Sequence, residues 1–456
     1  MRGTVIVGGG ISGLATAHLL RRELGRAAPI RVLEAAPEVG GKVRTRTLAG
    51  LPVDTGPDAF LSRSPTLRDL VADLGLAADV VEPMSGTSFV WTRGRLRPLP
   101  PGMAFGLPER LVPLLRSGLL SPAATVRAAG DLVLPRTRVP EDPTVAELVR
   151  PRFGRGVYDQ LVAPLLGGVH AGDAARLSAR SAVPEVASLA ESGRSTYLAL
   201  RRRQRTLPRP SGRPTAPLVS VEGGLSRLTD ALAARAEVDT GVAVRRVERL
   251  GGDGFRVVTD RGELDADRVV LATPAFVTAD LVDALAPDAA LALREIPYVS
   301  VANATLAFGR ADVPALPDGT GFLVPPAEGR FLVGCTWLSR KWRHLADHDV
   351  VLVKCMVGRD GDDRWVSMSD DELVTAVRAE LEEALGIAAA PRESLVQRWP
   401  AAMPQYVVGH ADRLARLDAA LAPHPGLAVT GAAYRGVGLA GCVTQAAATA
   451  RALAAR

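Results

Sequence analysis

Residues 5 to 34 leave this chain few folds. The apolar run Val5-Ile6-Val7 enters the turn Gly8-Gly9-Gly10-Ile11-Ser12-Gly13. An alanine- and leucine-rich helix follows, and a second apolar run, Ile30-Arg31-Val32-Leu33, stops at Glu34. Strand, glycine turn, helix and strand in this order make a nucleotide-binding βαβ unit. Gly8 makes the tight turn, Gly10 lets the backbone approach a pyrophosphate, and Gly13 lets the helix pack close to the strand. The helix N-terminus then faces the negative charge. Glu34 stands where a ribose would offer its hydroxyls. A Gly8-x-Gly10-x-x-Gly13 match alone is weak, because glycine-rich turns also simply connect elements; here strand, helix and acid all keep the fingerprint's spacing. The predicted class is α/β with a Rossmann-type dinucleotide lobe.

The next stretch, Ala35-Ala36-Pro37-Glu38-Val39-Gly40-Gly41-Lys42-Val43-Arg44-Thr45, separates cofactors. A nicotinamide site has no evident use for a second glycine pair followed by two cations. A second phosphate-facing turn suits FAD, and the plain alternative is a loop with solvated cations.

With 456 residues and 47% hydrophobic content, the chain can bury more than one core. Its net charge is +6, yet Lys42, Lys341 and Lys354 are the only lysines, so arginine carries the positive charge. A basic excess suits nucleic acid, an anionic surface or an acidic substrate. Nucleic acid is excluded as a partner: aromatic content is 4%, and no recognition motif interleaves the arginines. Cys335, Cys355 and Cys442 have neither the number nor the spacing of a disulfide framework or a metal site. The chain enters a strand with no secretory signal, and the apolar stretch 111–134 is interrupted by Arg116, Arg127 and Asp131. A cytoplasmic protein with at most peripheral membrane contact is expected.

The nucleotide lobe is expected to be discontinuous, built from 1–50, 218–275 and 425–456. Segments 51–89, 206–217 and 276–424 are assigned to an α+β substrate lobe, where strands at 299–308, 321–324 and 350–357 precede a helix at 371–385. Segment 90–205, punctuated by proline and glycine, reads as a helical insert with helices at 107–115, 123–134 and 145–153.

Four further stretches carry a resemblance. Asp54-Thr55-Gly56-Pro57-Asp58-Ala59-Phe60-Leu61, Pro164 through Asp173, Arg398-Trp399-Pro400 leading to Met403-Pro404-Gln405-Tyr406, and Gly431 through Gln445 occur in an order that resembles the bacterial coproporphyrinogen III oxidases. That family lies within the protoporphyrinogen oxidase and flavin amine oxidase superfamily. The resemblance covers nearly the whole chain. It implies noncovalent FAD, with contacts at Gly8, Gly9, Gly10, Ile11, Ser12, Gly13, Glu34, Ala35, Gly41, Lys42, Gly56, Pro57, Asp58, Ala59, Val244, Trp399, Gly438, Leu439 and Ala440. Val244 would contribute a backbone bond to adenine, and a plain core strand is the equal alternative there. Gly436-x-Gly438 opens the final helix, whose positive end would face the flavin pyrimidine. Cys442, inside that helix, is expected to be a packed thiol and not a tether.

The implied reaction is the six-electron oxidation of coproporphyrinogen III to coproporphyrin III in haem biosynthesis. Molecular oxygen is the acceptor, hydrogen peroxide the by-product, and a ferrochelatase a transient partner. The four propionates of that substrate favour an arginine-lined cavity, with Arg44, Arg63, Arg97, Arg340 and Lys341 as candidates. No acid–base constellation is visible. His170 is the one histidine inside a family motif, and a structural role suits it better than a catalytic one. The chain departs from some family members at Ser64-Pro65, where they carry lysine, so no role of that lysine carries over. Ser88 stands where plant and animal protoporphyrinogen oxidases use arginine on a propionate. Protoporphyrinogen IX oxidation, a more distant amine or carotenoid oxidoreductase, and a nonenzymatic flavin-binding protein stay open as alternatives.

Overall fold

The computed structural model describes residues 2–206, 216–251 and 254–455. The strand Thr4–Val7 is buried along its whole length, as a strand covered on both faces must be. It lies at the centre of a five-stranded parallel sheet in the order Glu237–Thr240, Ile30–Glu34, Thr4–Val7, Arg268–Leu271, Leu427–Val429. Alternation splits its side chains between two cores. Ile6, Val32 and Val270 pack under the helices Ile11–Leu24, Pro65–Asp73, Ser226–Ala233 and Gly438–Ala454. Val5, Val7, Leu33, Val269 and Leu271 pack on the other side. There they meet an antiparallel sheet (Val244–Arg249, Phe255–Thr259, Gly262–Ala266) and the helices Ala275–Val282, Pro287–Arg294 and His410–Leu421.

Several expected boundaries move. The helix Pro65–Asp73, and those at 275–294 and 410–421, fell in segments assigned to the substrate lobe, yet their apolar faces close the two cores of the nucleotide sheet. An amphipathic helix specifies that it must be covered, not by which sheet. The boundary at 50 cuts the hairpin Thr45–Leu48/Leu51–Asp54. Of the expected substrate segment 206–217, residues 207–215 lie outside the described residues.

A seven-stranded, mainly antiparallel sheet forms the second lobe, in the order Glu393–Pro404, Tyr298–Gly309, Val350–Val357, Leu332–Trp337, Gly321–Leu323, Phe89–Thr92, Arg95–Pro98. The last two strands correct the start of the insert from residue 90 to beyond residue 98. The helix Asp370–Leu385, held by a capping box between Ser369 and Glu372, covers one face through Leu373, Val377 and Leu381. The opposite face, carrying Val301, Asn303, Thr305 and Ala307, turns toward the Thr45–Asp54 hairpin and the nucleotide lobe.

The insert is helical, with its own core around Val149, Phe153 and Leu161. One expected helix, 145–153, is present as Val145–Phe153. The 107–115 expectation resolves into a two-residue strand, Leu107–Pro108, and the helix Leu111–Ser117; 123–134 becomes Pro122–Ala129 and a single 3₁₀ turn. Asp131, which interrupts that apolar stretch, is fully buried and accepts from Arg152 Nε at 2.5 Å, Ser195 Oγ at 2.7 Å and Tyr197 N at 2.8 Å. Among the described residues no helix is long and apolar enough to cross a membrane.

Candidate functional site

The first glycine turn is as tight as the spacing demands. A Cβ on Gly13 would lie 2.0 Å from Gly8 O, so only glycine lets the helix start against the strand. Gly8 itself has φ +109°, a conformation other residues rarely adopt. The N–H groups of Ile11, Ser12 and Gly13 form the first helical turn and have no partner within the helix. The second glycine turn docks on the first. Gly40 N donates to Gly9 O at 2.9 Å, and Gly10 pairs with Gly40 as an isolated bridge. Glu34 locks the corner by accepting from Gly9 N at 2.6 Å and Ala36 N at 2.8 Å, and each carboxylate oxygen keeps a lone pair for a ribose hydroxyl. Val242 N donates to Glu34 O and Gly241 N to Ala36 O, both at 2.9 Å, which brings Val244, two residues on, to the same corner as Ala35.

A third turn, 54–59, is gripped from the seven-stranded sheet. Three successive carbonyls each receive a side-chain donor. Lys354 Nζ donates to Asp54 O at 2.8 Å and also to Gly56 O. Asn303 Nδ2 donates to Thr55 O at 2.7 Å, and Trp399 Nε1 to the same oxygen at 3.1 Å. The strand register explains the convergence. Lys354 stands opposite Thr305, Asn303 is two residues from Thr305, and Val301, two further, stands opposite Trp399; the three donors form a diagonal on one face. A Cβ on Gly56 would lie 2.0 Å from Lys42 O, so this turn also abuts the second glycine turn.

Charged groups surround this turn, most of them buried. Lys341 Nζ lies 2.8 Å from Asp58 Oδ2. Burial alone would raise the Asp58 pKa, but Lys341 and Lys354 outweigh it and hold the carboxyl at about 2. Asp54 goes the other way: burial pushes it up to about 6, against hydrogen bonds from Thr45 and Leu225. Burial lowers the Lys354 pKa, and the two aspartates oppose that shift. Lys42 is exposed overall, and desolvation of its ammonium lowers its pKa. Its Nζ donates to Ala402 O at 2.6 Å. All three lysines of the chain thus gather around one turn.

The fourth component is the segment 431–440. Tyr406 OH donates to Ala432 O at 2.7 Å and accepts from Gly436 N at 2.9 Å. Its ring stacks on His410, whose Nε2 donates to Tyr434 O at 2.8 Å. Gln445 Nε2 holds Gly436 O at 3.0 Å. This bracing presents the unbonded first-turn amides of Gly438, Leu439 and Ala440. Cys442 is buried, lies beside Ser12 and Lys42, and burial raises its pKa, which makes it a packed thiol.

Ala171, Val299 and Val301 form a small apolar cluster with Trp399 and Met403. His170, 3% exposed, borders it. Its carbonyl accepts from Gln405 Nε2 at 2.8 Å, its Nδ1 has no partner among the described residues, and burial pushes its pKa down to about 4, so it is neutral near pH 7.

The five candidate propionate partners are not brought together. Lys341 is committed to Asp58. Arg340 is half exposed, 3.9 Å from Asp318, and Arg63 is exposed. Arg97 lies against Gly118 in the neighbourhood of the insert. Besides Lys341, Arg44 is at the site, paired with Glu38 at 3.2 Å and 5.9 Å from the Trp399 ring centre. Asn303, Lys354, Asp54, Tyr406 and His410 were not singled out as site residues by sequence. For two of them the signal was a polar residue inside an otherwise apolar strand: Asn303 in Tyr298–Gly309 and Lys354 in Val350–Val357.

These residues fit a dinucleotide. Two abutting glycine cradles lie beside two helix N-termini, with an acid at the ribose position. The comparisons agree. Residues 11–454 match the family of flavin-containing amine oxidoreductases. The coproporphyrinogen III oxidase of Bacillus subtilis is 33% identical over 453 residues, covering 97% of this chain and 95% of the relative. That of Mycobacterium bovis is 38% identical over 443 residues with the same coverages. A crystal structure from Exiguobacterium sp. 255-15, described as a protoporphyrinogen oxidase, superposes with a TM-score of 0.87 at 32% identity, covering 99% of this chain and 98% of that one. The chain belongs to the flavin-containing amine oxidoreductase family, in the group that holds the bacterial coproporphyrinogen III oxidases.

Proposed function

We propose that this protein is an FAD-dependent coproporphyrinogen III oxidase of haem biosynthesis, using molecular oxygen and acting in the cytoplasm. The observation that carries the reading is the convergence of the two glycine turns, the 54–59 turn and the Gly438 helix start in a chain colinear with relatives of that name. Conversion of a porphyrinogen to a porphyrin removes six electrons and six protons. FAD, when bound, supplies a two-electron acceptor, so three rounds are needed, each yielding one hydrogen peroxide from oxygen.

The protein's own contribution is binding and orientation. The amides of Ile11 to Gly13 hold pyrophosphate, Glu34 the ribose, and the first-turn amides of Gly438 to Ala440 the electron-rich end of the ring system. Trp399, Val299, Val301 and Met403 give an apolar wall for a tetrapyrrole. Arg44, beside Trp399, is the cation best placed for a propionate. No paired acid and base stand there, and neutral His170 serves the packing of its helix end. Release to a ferrochelatase completes the proposal.

The test is an aerobic fluorescence assay of the purified protein on coproporphyrinogen III and protoporphyrinogen IX, corrected for spontaneous oxidation, with peroxide measured in parallel. Preference for the tetracarboxylate with three peroxides per porphyrin is expected. Preference for protoporphyrinogen IX, or bound FAD without either activity, would overturn it.

A further inference from the structure

Lys354 has no part in the reaction proposed above, yet the fold goes to some length to bury it. It interrupts the apolar strand Val350–Val357 and reaches across to two backbone carbonyls, those of Asp54 and Gly56. The carbonyl between them, Thr55 O, is taken by Asn303 and Trp399 from the same sheet face. Three consecutive carbonyls therefore point into the sheet, and among the described residues no peptide bond is cis. In a trans peptide the following N–H points opposite to the carbonyl, so Gly56 N–H faces away from the sheet. Gly56, Asp58 and Ala59 donate no backbone hydrogen bond to any described residue, and all three are partly accessible.

Carbonyls turned away from water need donors, and a buried ammonium bonded to two of them supplies these in a setting where the interaction is strong. An ammonium suits the position because it is compact and donates in three directions, whereas a planar guanidinium needs a flat fork of acceptors. In a chain that otherwise uses arginine for positive charge, lysine here is a geometric choice.

We propose that Lys354 is a positioning residue for the flavin: by holding the Asp54 and Gly56 carbonyls on either side of the Thr55–Gly56 peptide, it keeps that peptide turned with its carbonyl toward Asn303 and Trp399 and its Gly56 N–H toward the cofactor. The inference rests on the FAD reading. It adds a residue that contributes to affinity from behind the loop, without touching the ligand.

The experiment is reconstitution of apoprotein with FAD, followed by flavin fluorescence, for the wild type, Lys354→Met, Lys354→Gln and Lys354→Arg, with the apoprotein melting temperature measured for each. Lys354→Met is expected to weaken FAD binding by roughly thirtyfold or more, a part of what two charge-assisted hydrogen bonds contribute. Lys354→Arg, which keeps the charge but not the compact donor, and Lys354→Gln, with neutral donors, should both fall between Lys354→Met and the wild type. A purely structural role would lower the melting temperature while leaving the affinity of the folded fraction unchanged, and that result overturns the proposal. If Lys354→Met does not fold, wild-type affinity in Lys354→Gln overturns it equally. Failure of the wild type to bind FAD would instead reject the underlying reading.

Discussion

Asp58 and Lys341 meet at 2.8 Å although 283 positions separate them, and the Trp342 ring lies 4.8 Å from the same ammonium. Both side chains are largely buried, so removing one partner strands the other. Lys341→Met is expected to cost about 3 kcal/mol, while Lys341→Met combined with Asp58→Asn should recover most of that loss. Denaturant titration of the two single variants and the double variant measures the coupling; additive effects would show that the pair contributes no mutual stabilisation.

Asp54 predicts a pH effect of definite sign. Its folded pKa, about 6, lies above the ordinary 3.8 because burial disfavours the charge, so the fold loses stability as pH rises through that window. Asn in its place can still accept from Thr45 Oγ1 and Leu225 N. Asp54→Asn should therefore gain stability over the wild type between pH 4 and pH 7, by about 2–3 kcal/mol. Urea melts across that range check it, and a constant difference would refute it.

His170 tilts the other way. With its folded pKa at about 4, against 6.5 when free, the fold keeps this residue neutral and is destabilised as pH falls below about 6.5. His170→Leu should abolish that part of the acid sensitivity while changing kcat less than about tenfold, well short of the roughly hundredfold that a general base contributes at the least. A larger loss of kcat, with a shifted pH–rate profile, would make His170 a catalytic group.

Tyr406 offers a sharper test of the C-terminal turn. Tyr406→Phe removes one hydroxyl and leaves both Ala432 O and Gly436 N without a partner. A stability loss of about 2 kcal/mol is expected. Stopped-flow release of FAD should also quicken by about tenfold, the rate equivalent of 1.4 kcal/mol. Unchanged release would disconnect this turn from the cofactor.

The parts legible in the sequence were those written locally. The Gly8–Glu34 unit needs only neighbouring residues to be recognised, and the second glycine turn lies within a dozen residues of it. The donor diagonal was not legible, because Trp399, Asn303 and Lys354 become neighbours only through the register of three strands. The same holds for the helices Pro65–Asp73 and His410–Leu421, whose apolar stripes say nothing about the sheet they cover. Lysine scarcity was visible from the start, but its meaning required seeing the Lys341 and Lys354 ammonium groups and the Lys42 carbonyl beside one turn.

The nucleotide sheet draws its five strands from the beginning, the middle and the very end of the polypeptide. The glycine turn and the helix Gly438–Ala454, on opposite walls of the site, are thus more than 400 positions apart, and a chain cut before Gly438 would keep the fingerprint yet lack the helix start across from it.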